Sequence, residues 1–251
     1  MKNSLGQLFL EATKYQNMDK SNQEKGKPQP VLERPCEGRK IELPSIDLTE
    51  MDGSLNQLII QRRSLRNYAD KAMTFKQLAY LLFVTQGIKQ KNEKVTLRTV
   101  PSAGARHAFD TYLLVNHVEG LESGLYRYLA LEDAVVKISS DPTLKDTLTN
   151  ACLGQKMIAS SAVTFFWVAD IERMTYRYGE RGYRYLHLDA GHVCQNLYLS
   201  AEAIGAGTCA VGAFDDDRIN SILGLNLDEQ FTIYIAPVGF KKSNLEGESS
   251  S

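Results

Sequence analysis

The segment Ala162-Val163-Thr164-Phe165-Phe166-Trp167-Val168-Ala169 is an almost continuous apolar run within a chain of 251 residues. Its length is that of a single strand, and the lack of alternation between apolar and polar positions is typical of a strand buried on both faces. We therefore predict that this segment is a central strand of a sheet.

The chain on either side of this strand mixes helical and strand patterns. Before it, strand-forming segments separated by turns predict a small antiparallel meander at residues 111–116, 124–129 and 134–138. After it, the apolar residues of 183–204 recur at spacings of three and four and predict one long helix. Because helices and strands do not alternate regularly, the pattern predicts the α+β class.

Composition and charge exclude several classes of function. A net charge of -1 provides no general attraction to nucleic acid, and no apolar run approaches the roughly 20 residues that span a bilayer. The four cysteines lie far apart without a Cys-x-x-Cys pair, which favours free thiols in the cytoplasm. His187 and His192 are five residues apart on the predicted helix and diverge by about 140°, so we predict no metal site.

Polar and helix-breaking residues divide the chain. Residues 1–50 are expected to form an arm that docks on a larger body, and 51–245 to form the main domain. A basic stretch at 89–98 is expected to be a loop, and the polar tail at 246–251 is expected to be disordered.

The segment Gln61-Arg62-Arg63-Ser64-Leu65-Arg66-Asn67-Tyr68 concentrates cations directly after a short helical pattern. Arg62, Arg63 and Arg66 carry forked donors that match phosphate and carboxylate oxygens, and Ser64 adds a hydroxyl. Two interpretations remain open from these residues alone: a solvated basic corner, or a binding site for a phosphorylated ligand.

Two other patterns give weaker indications of function. The segment 205–210 matches G-x-G-x-x-A but follows a helix and enters a strand, whereas a dinucleotide site needs the opposite order. Tyrosines and arginines interleave over 173–185, which favours ring contacts or Arg–Tyr packing at an interface over binding of single-stranded nucleic acid.

Taken together, an ordered set of motifs resembles the FMN-dependent nitroreductase superfamily, and within it the SagB-type thiazole/oxazole dehydrogenase branch. The motifs are Arg62-Arg63-Ser64-x-Arg66, Pro101-Ser102-Ala103-Gly104, Gly124-Leu125-Tyr126-Arg127-Tyr128, Asp189-Ala190-Gly191-His192 and Gly207-Thr208-Cys209-Ala210-Val211-Gly212-Ala213. The resemblance implies a nitroreductase-like α+β fold, with a central, mostly antiparallel sheet flanked by helices. It also implies a long central helix at a homodimer interface, where both subunits bind the flavin.

The resemblance assigns roles to these residues. Arg62, Arg63, Ser64 and Arg66 match positions that hold the phosphate, the ribityl chain and the pyrimidine edge of FMN, where a cation stabilises negative charge on the ring. Pro101, Ser102, Ala103 and Gly104 match a loop that reaches the FMN of the partner subunit. Val211, Gly212 and Ala213 match the backbone facing flavin N5, and Lys241 or Lys242 would reach the phosphate.

Azoline-oxidising members use a Lys-Tyr pair that aligns with Arg177-Tyr178 in this chain. Arginine stays protonated and is a poor general base, so the azoline reaction is in doubt, while Tyr178 can donate a proton or line the pocket. The resemblance implies hydride transfer through FMN, either as an NAD(P)H-dependent reductase or as a SagB-type dehydrogenase, on a small-molecule or peptide substrate. The alternatives are a flavin storage or sensor protein without turnover and an anion-binding module without flavin.

Overall fold

The computed structural model describes residues 4–48 and 53–242. The helices are α1 (Leu5–Ala12), α2 (Leu55–Gln61), α3 (Phe75–Gln86), α4 (Leu144–Ala151), α5 (Met157–Ser160), α6 (Ile171–Tyr178), α7 (Gly182–Ala203) and α8 (Asp216–Ile222). The strands are β1 (Lys40–Glu42), β2 (Ile88–Lys91), β3 (Thr96–Arg98), β4 (Phe109–Val115), β5 (Gly124–Leu129), β6 (Ala134–Ser139), β7 (Val163–Asp170), β8 (Ala206–Thr208) and β9 (Gln230–Phe240).

Within these described ranges the main sheet has seven strands in the order β1-β6-β5-β4-β7-β9-β8, and each neighbouring pair is antiparallel. Strand β7 lies between β4 and β9, and every one of its residues is buried. The prediction of a central strand is therefore confirmed, as are the meander β4–β6 and the α+β class.

The predicted long helix is also confirmed. Helix α7 has 22 residues, about 33 Å at 1.5 Å per residue, and packs against α3. Its apolar stripe is buried in the core that also contains β7. Helix α3 is capped at its N-terminus by Thr74, whose side chain forms a capping box with the side chain of Gln77. Helices α3 and α7 cover one face of the sheet, and their contact fixes the direction of α7.

Two elements differ from expectation. The stretch 89–98, expected to be a loop, lies within the β2–β3 hairpin. Helix α6 was missed, because Arg173 occupies a buried position where a sequence pattern requires an apolar residue. Its charge is compensated by an ion pair at 2.6 Å with buried Asp110.

The N-terminal region is attached to its own chain. Strand β1 pairs with β6 at the edge of the sheet, and Arg34 forms an ion pair at 2.5 Å with buried Asp170. Arg127 donates hydrogen bonds to the carbonyl oxygens of Arg34 and Pro35. Residues 34–42 of the expected arm are thus built into the sheet edge, while the expected tail at 246–251 lies outside the described residues.

Residues 4–27, called the arm below, pack on α6 and α7 through hydrogen bonds to the carbonyl oxygens of the arm and through the side chains of Phe9, Thr13 and Tyr15. Arg184 and Arg181 donate to the carbonyl oxygens of Leu10 (2.6 Å) and Thr13 (2.7 Å), respectively. The Tyr176 hydroxyl donates to the carbonyl oxygen of Lys27 at 3.1 Å. The arm therefore has a fixed path over the start of α7.

Candidate functional site

The arginine-rich loop after α2 runs along the ends of β8 and β9. Leu65 N–H donates to the carbonyl oxygen of Thr208, and Ala69 N–H donates to that of Phe240, both at 2.9 Å. These bonds hold the loop next to the segment that contains Lys241 and Lys242. The chain thus brings two of the predicted cofactor-binding segments to one end of the sheet.

Tyr198 on α7 links the same loop to the 211–213 segment. Its hydroxyl lies 3.1 Å from Ser64 Oγ and accepts a hydrogen bond from Ala210 N–H at 2.8 Å. The Arg62 guanidinium lies over its ring, 5.3 Å from the centre. The role of Tyr198 was not predicted from the sequence, because the pattern of a helix does not indicate which loops its tyrosine contacts.

The arginines of this loop are not engaged by carboxylates. Within residues 4–48 and 53–242, the side chains of Arg63 and Arg66 form neither a hydrogen bond nor an ion pair, and the Arg62 guanidinium contacts the Tyr198 ring. Arg63 and Arg66 are exposed, so their donors face solvent. Three neighbouring cations without a counter-charge, beside a serine hydroxyl, form a surface that suits a phosphate or another anion.

The 211–213 segment borders open space. Val211 pairs with Ile235 of β9, with its N–H donating at 2.8 Å, whereas Gly212 and Ala213 are exposed. A side chain at Gly212 would meet only Tyr234, at 3.9 Å. A cavity of about 510 Å³ lies beside it, lined by His187, Ala190, Gly191, Gly212, Phe214, Asp216 and Phe231–Tyr234. A planar ligand can therefore approach this backbone closely.

Lys241 and Lys242 differ in their surroundings. Lys241 forms an ion pair with Glu202, whose side chain is buried on α7 and whose Oε1 has no hydrogen-bond partner in the described chain. Lys242 is exposed. The charge of Lys241 is thus already compensated, and Lys242 is the more available of the two for a ligand phosphate.

The 101–104 loop is held by Asp189 of α7. Ser102 Oγ donates to the Asp189 carboxylate at 2.6 Å, and Ala103 N–H donates to it at 3.2 Å. Burial raises the pKa of Asp189, and the two hydrogen bonds oppose that rise. His107 N–H donates to Ser102 Oγ at 2.9 Å and extends the network. In the sequence Asp189 stands out as part of the motif Asp189-Ala190-Gly191-His192, but its role as the anchor of this loop was missed.

Arg177 and Tyr178 lie against this same loop. Gly104 has φ +55°, and a Cβ there would be 2.5 Å from the Tyr178 hydroxyl and 3.0 Å from Arg177 Cδ. Only glycine fits, because of both the left-handed backbone and the occupied space. The predicted catalytic pair and the predicted partner-reaching loop are therefore neighbours within one chain.

The predicted residues fall into two groups at different positions along α7. Tyr198, which contacts the arginine loop, follows Asp189, which holds the 101–104 loop, by nine residues, or about 14 Å along the helix. Within one chain the arginine loop thus lies at Tyr198 and Lys241 at Glu202, one turn further along, while 101–104 and 177–178 lie around Asp189. Gly212 borders the cavity whose α7 wall, His187, Ala190 and Gly191, is level with Asp189.

Two negative findings apply to the described ranges. No cluster of three or more His, Cys, Asp or Glu side chains is arranged to hold a metal ion. No helix there combines the length and the apolar character needed to cross a membrane.

Comparison with known proteins places the chain in one family. The nitroreductase family matches residues 59–240. A Methanocaldococcus jannaschii protein whose name assigns it to the nitroreductases is 37% identical over 202 residues, which are 80% of this chain and 96% of that protein.

Two further similarities concern part of the sequence and the fold. The trifolitoxin-processing protein TfxB of Rhizobium leguminosarum bv. trifolii is 29% identical over 51% of this chain, but that match covers only 36% of TfxB. The structure of the E. coli microcin synthetase McbBCD complex with truncated pro-MccB17 has a similar fold, with TM-score 0.63 and 20% identity over 94% of this chain and 87% of that one. The family match covers well over half of the sequence, and the chain belongs to the nitroreductase family.

Proposed function

We propose that this protein is a homodimeric FMN-dependent oxidoreductase. The observation that carries the proposal is the cluster of Arg62, Arg63, Ser64 and Arg66, whose cations have no acidic partner within the described residues. The donor set fits a phosphate and the polar edge of a flavin ring. When bound, FMN would accept a hydride at N5 from a donor and pass it to an acceptor.

The remaining residues fit the same cofactor. Lys242 is exposed beside the arginine loop and would contact the phosphate, with Lys241 held close by Glu202. The exposed backbone of Gly212 and Ala213 borders a cavity and would lie along the reactive edge of the ring. Each of these residues binds or orients the cofactor, and none of them needs to change its protonation.

The separation of the two groups along α7 supports a site shared between two subunits. The 101–104 loop and the arginine loop lie too far apart along the helix to contact one small region of a ligand. Helices α2 and α7 also expose apolar side chains, with Leu55, Ile59, Ile60 and Leu188 between 52% and 81% exposed. A second copy would cover this surface and bring its own 101–104 loop to the cofactor.

The direction of the reaction has two candidates. The names of TfxB and of the microcin synthetase favour a SagB-type dehydrogenase that acts on a peptide, whereas Arg177 in place of a lysine favours an NAD(P)H-dependent reductase. Reduction of the purified protein by NADH or NADPH without oxygen would favour the reductase. Turnover with a nitroaromatic or quinone acceptor would exclude a storage or sensor protein. The free cysteines at 36, 152, 194 and 209 favour a cytoplasmic location.

The first experiment is purification without added flavin, followed by the visible absorption spectrum. We expect flavin bands in the wild type, release of FMN on denaturation, and loss of both in Arg62→Ala/Arg66→Ala. The matched control Arg39→Ala/Arg218→Ala removes two exposed arginines from other parts of the chain and should retain the flavin. A colourless wild type that FMN cannot reconstitute would refute the proposal.

A second experiment tests the shared site. Subunits carrying Arg62→Ala/Arg66→Ala are mixed with subunits carrying Asp189→Ala, which releases the 101–104 loop. In a mixed dimer one of the two sites contains only intact segments, so activity should return on mixing. If both groups of residues served one site within one chain, mixing would restore nothing.

A further inference from the structure

A cavity of about 400 Å³ lies between the arm and the end of α6. Its arm wall runs from Tyr15 to Glu24, and its opposite wall consists of Arg177, Tyr178 and Arg181. Because the arm is attached through its main chain to α6 and α7, this cavity is part of the folded chain.

Two charged groups on the walls already have partners. Arg181 donates to the Tyr185 hydroxyl at 2.8 Å and lies over the Tyr15 ring, 4.6 Å from its centre. Glu24 accepts a hydrogen bond from Ser21 N–H at 2.8 Å and so belongs to a turn within the arm. Neither group is free for a ligand without loss of a structural contact.

Arg177 is in the opposite situation. In the part of the chain that the structure describes, its guanidinium has no hydrogen bond or ion pair, and it lies 5.6 Å from the centre of the Tyr178 ring. Asp19 and Lys20 also line the cavity, and their charges cancel. The available recognition elements are therefore one forked cation and the parts of the Tyr15 and Tyr178 rings that Arg181 and Arg177 do not cover.

Tyr178, which lines the cavity, also contacts the 101–104 loop. The Tyr178 hydroxyl occupies the space beside Gly104, in the loop that under the proposed function reaches the flavin of the partner subunit. A ligand between Tyr15 and Tyr178 would thus lie beside that loop.

We propose that this cavity binds a planar aromatic carboxylate as a substrate, an inference that rests on the proposed function for the neighbouring flavin. Arg177 binds the carboxylate through two parallel hydrogen bonds, and the two tyrosine rings contact the plane of the ligand. The arm is then a wall of the substrate site. Arg177 is a binding residue and takes no proton from the substrate.

Calorimetric titration tests the binding without turnover. The probes are 4-nitrobenzoate and the neutral 4-nitrobenzamide, which have nearly the same shape. We expect the wild type to bind the carboxylate at least about tenfold more tightly, because a charge-assisted pair is lost in the amide. Equal affinities for the two probes, or no binding of either, would overturn the proposal.

Variants of single residues test which side chain produces the preference for the carboxylate over the amide. Arg177→Ala should remove the tenfold preference and leave the affinity for the amide unchanged, and Arg177→Lys should restore part of it as a single point charge. Tyr15→Ala should weaken the binding of both probes, since Tyr15 is exposed and contributes a ring face. Arg218→Ala, which removes an exposed arginine on α8, is the control and should change nothing.

The outcomes separate the two proposals. If the protein contains FMN and shows no carboxylate preference, the cavity does not bind this substrate class, while the oxidoreductase proposal stands. If the protein lacks flavin, the oxidoreductase proposal fails, and the role of the cavity as part of a flavin enzyme fails with it. A preference that survives Arg177→Ala also overturns the assignment.

Discussion

The two groups of residues along α7 are built in opposite ways. Around Asp189, the 101–107 segment is fixed by hydrogen bonds to a buried carboxylate. Around Tyr198, the arginine loop is attached by main-chain bonds and one tyrosine hydroxyl, and its charged side chains stay free. The first region uses its polar groups to hold a loop in position, while the second keeps its polar groups for a ligand. Changes in the first should therefore reduce stability, and changes in the second should reduce binding.

The largest effect on stability is expected for Asp189→Ala. Ser102 Oγ and Ala103 N–H lose their acceptor, which should lower the free energy of unfolding by about 3 kcal/mol. The melting temperature should fall by about 6–12 °C for a chain of this size. Asp189→Asn, which keeps one acceptor, should lose less. An unchanged melting temperature for the alanine variant would show that the loop is held by other contacts.

The next effect is a pH dependence at His107, which has φ +43°. Burial, with the nearby charges of Arg98 and Arg106, lowers the pKa of His107 to about 3. In the unfolded chain this pKa is about 6.5, so the unfolded state binds more protons between these values. Stability should therefore fall as the pH decreases from about 6.5 toward 3, by up to about 1.4 kcal/mol per pH unit.

His107→Asn tests this dependence, because asparagine accepts a positive φ and does not titrate. Denaturant unfolding across this pH range should show a shallower loss of stability in the variant than in the wild type. Parallel curves would mean that carboxylates alone produce the acid sensitivity.

A smaller effect is expected for Tyr198→Phe. The variant removes the hydroxyl between Ser64 Oγ and Ala210 N–H and should cost about 1 kcal/mol of unfolding free energy. Tyr234→Phe is the matched control, since its hydroxyl makes no hydrogen bond within the described chain. Equal stabilities of the two variants would indicate that the Tyr198 hydroxyl does not join the two segments.

The smallest effect on stability belongs to Arg66→Ala, within about 0.5 kcal/mol of the wild type, because Arg66 has no partner among the described residues. Under the proposed function, the same change should weaken FMN binding about tenfold or more, measured by quenching of FMN fluorescence. A destabilised Arg66→Ala protein that still binds FMN normally would contradict the assignment of the arginine loop to binding rather than to stability.

The sequence predicts the elements whose patterns are apolar and regular. Strand β7 and helix α7 follow from a buried run and a helical stripe, and the structure has both, with α7 shifted by one residue. For the interleaved tyrosines and arginines of 173–185, ring contacts or Arg–Tyr packing at an interface were expected; Arg181 lies over the Tyr185 ring and Arg177 over the Tyr178 ring, while packing at an interface stays a prediction.

What the sequence does not predict depends on buried polar residues. The sequence pattern does not reveal helix α6, because Arg173 is buried with ion pairs to Asp110, which is distant in sequence, and to Asp170. Asp189 holds a loop that begins 88 residues earlier in the chain, and no local pattern encodes this contact. The division of the candidate site along α7 likewise requires the packing of distant segments.

The attachment of the arm has a consequence for how the specificity of this protein can change. Arg181, Arg184 and Tyr176 donate to the carbonyl oxygens of Thr13, Leu10 and Lys27, and every amino acid possesses this oxygen. The side chains of Phe9, Thr13 and Tyr15 also contact Arg184 and Arg181, so it is the remaining side chains of the arm that can be exchanged while its path over α6 and α7 stays the same. Residues such as Met18 and Gln23 line the adjoining cavity without anchoring the arm through their side chains. Substitutions at these arm residues can therefore alter the ligand preference of the cavity at little cost to folding.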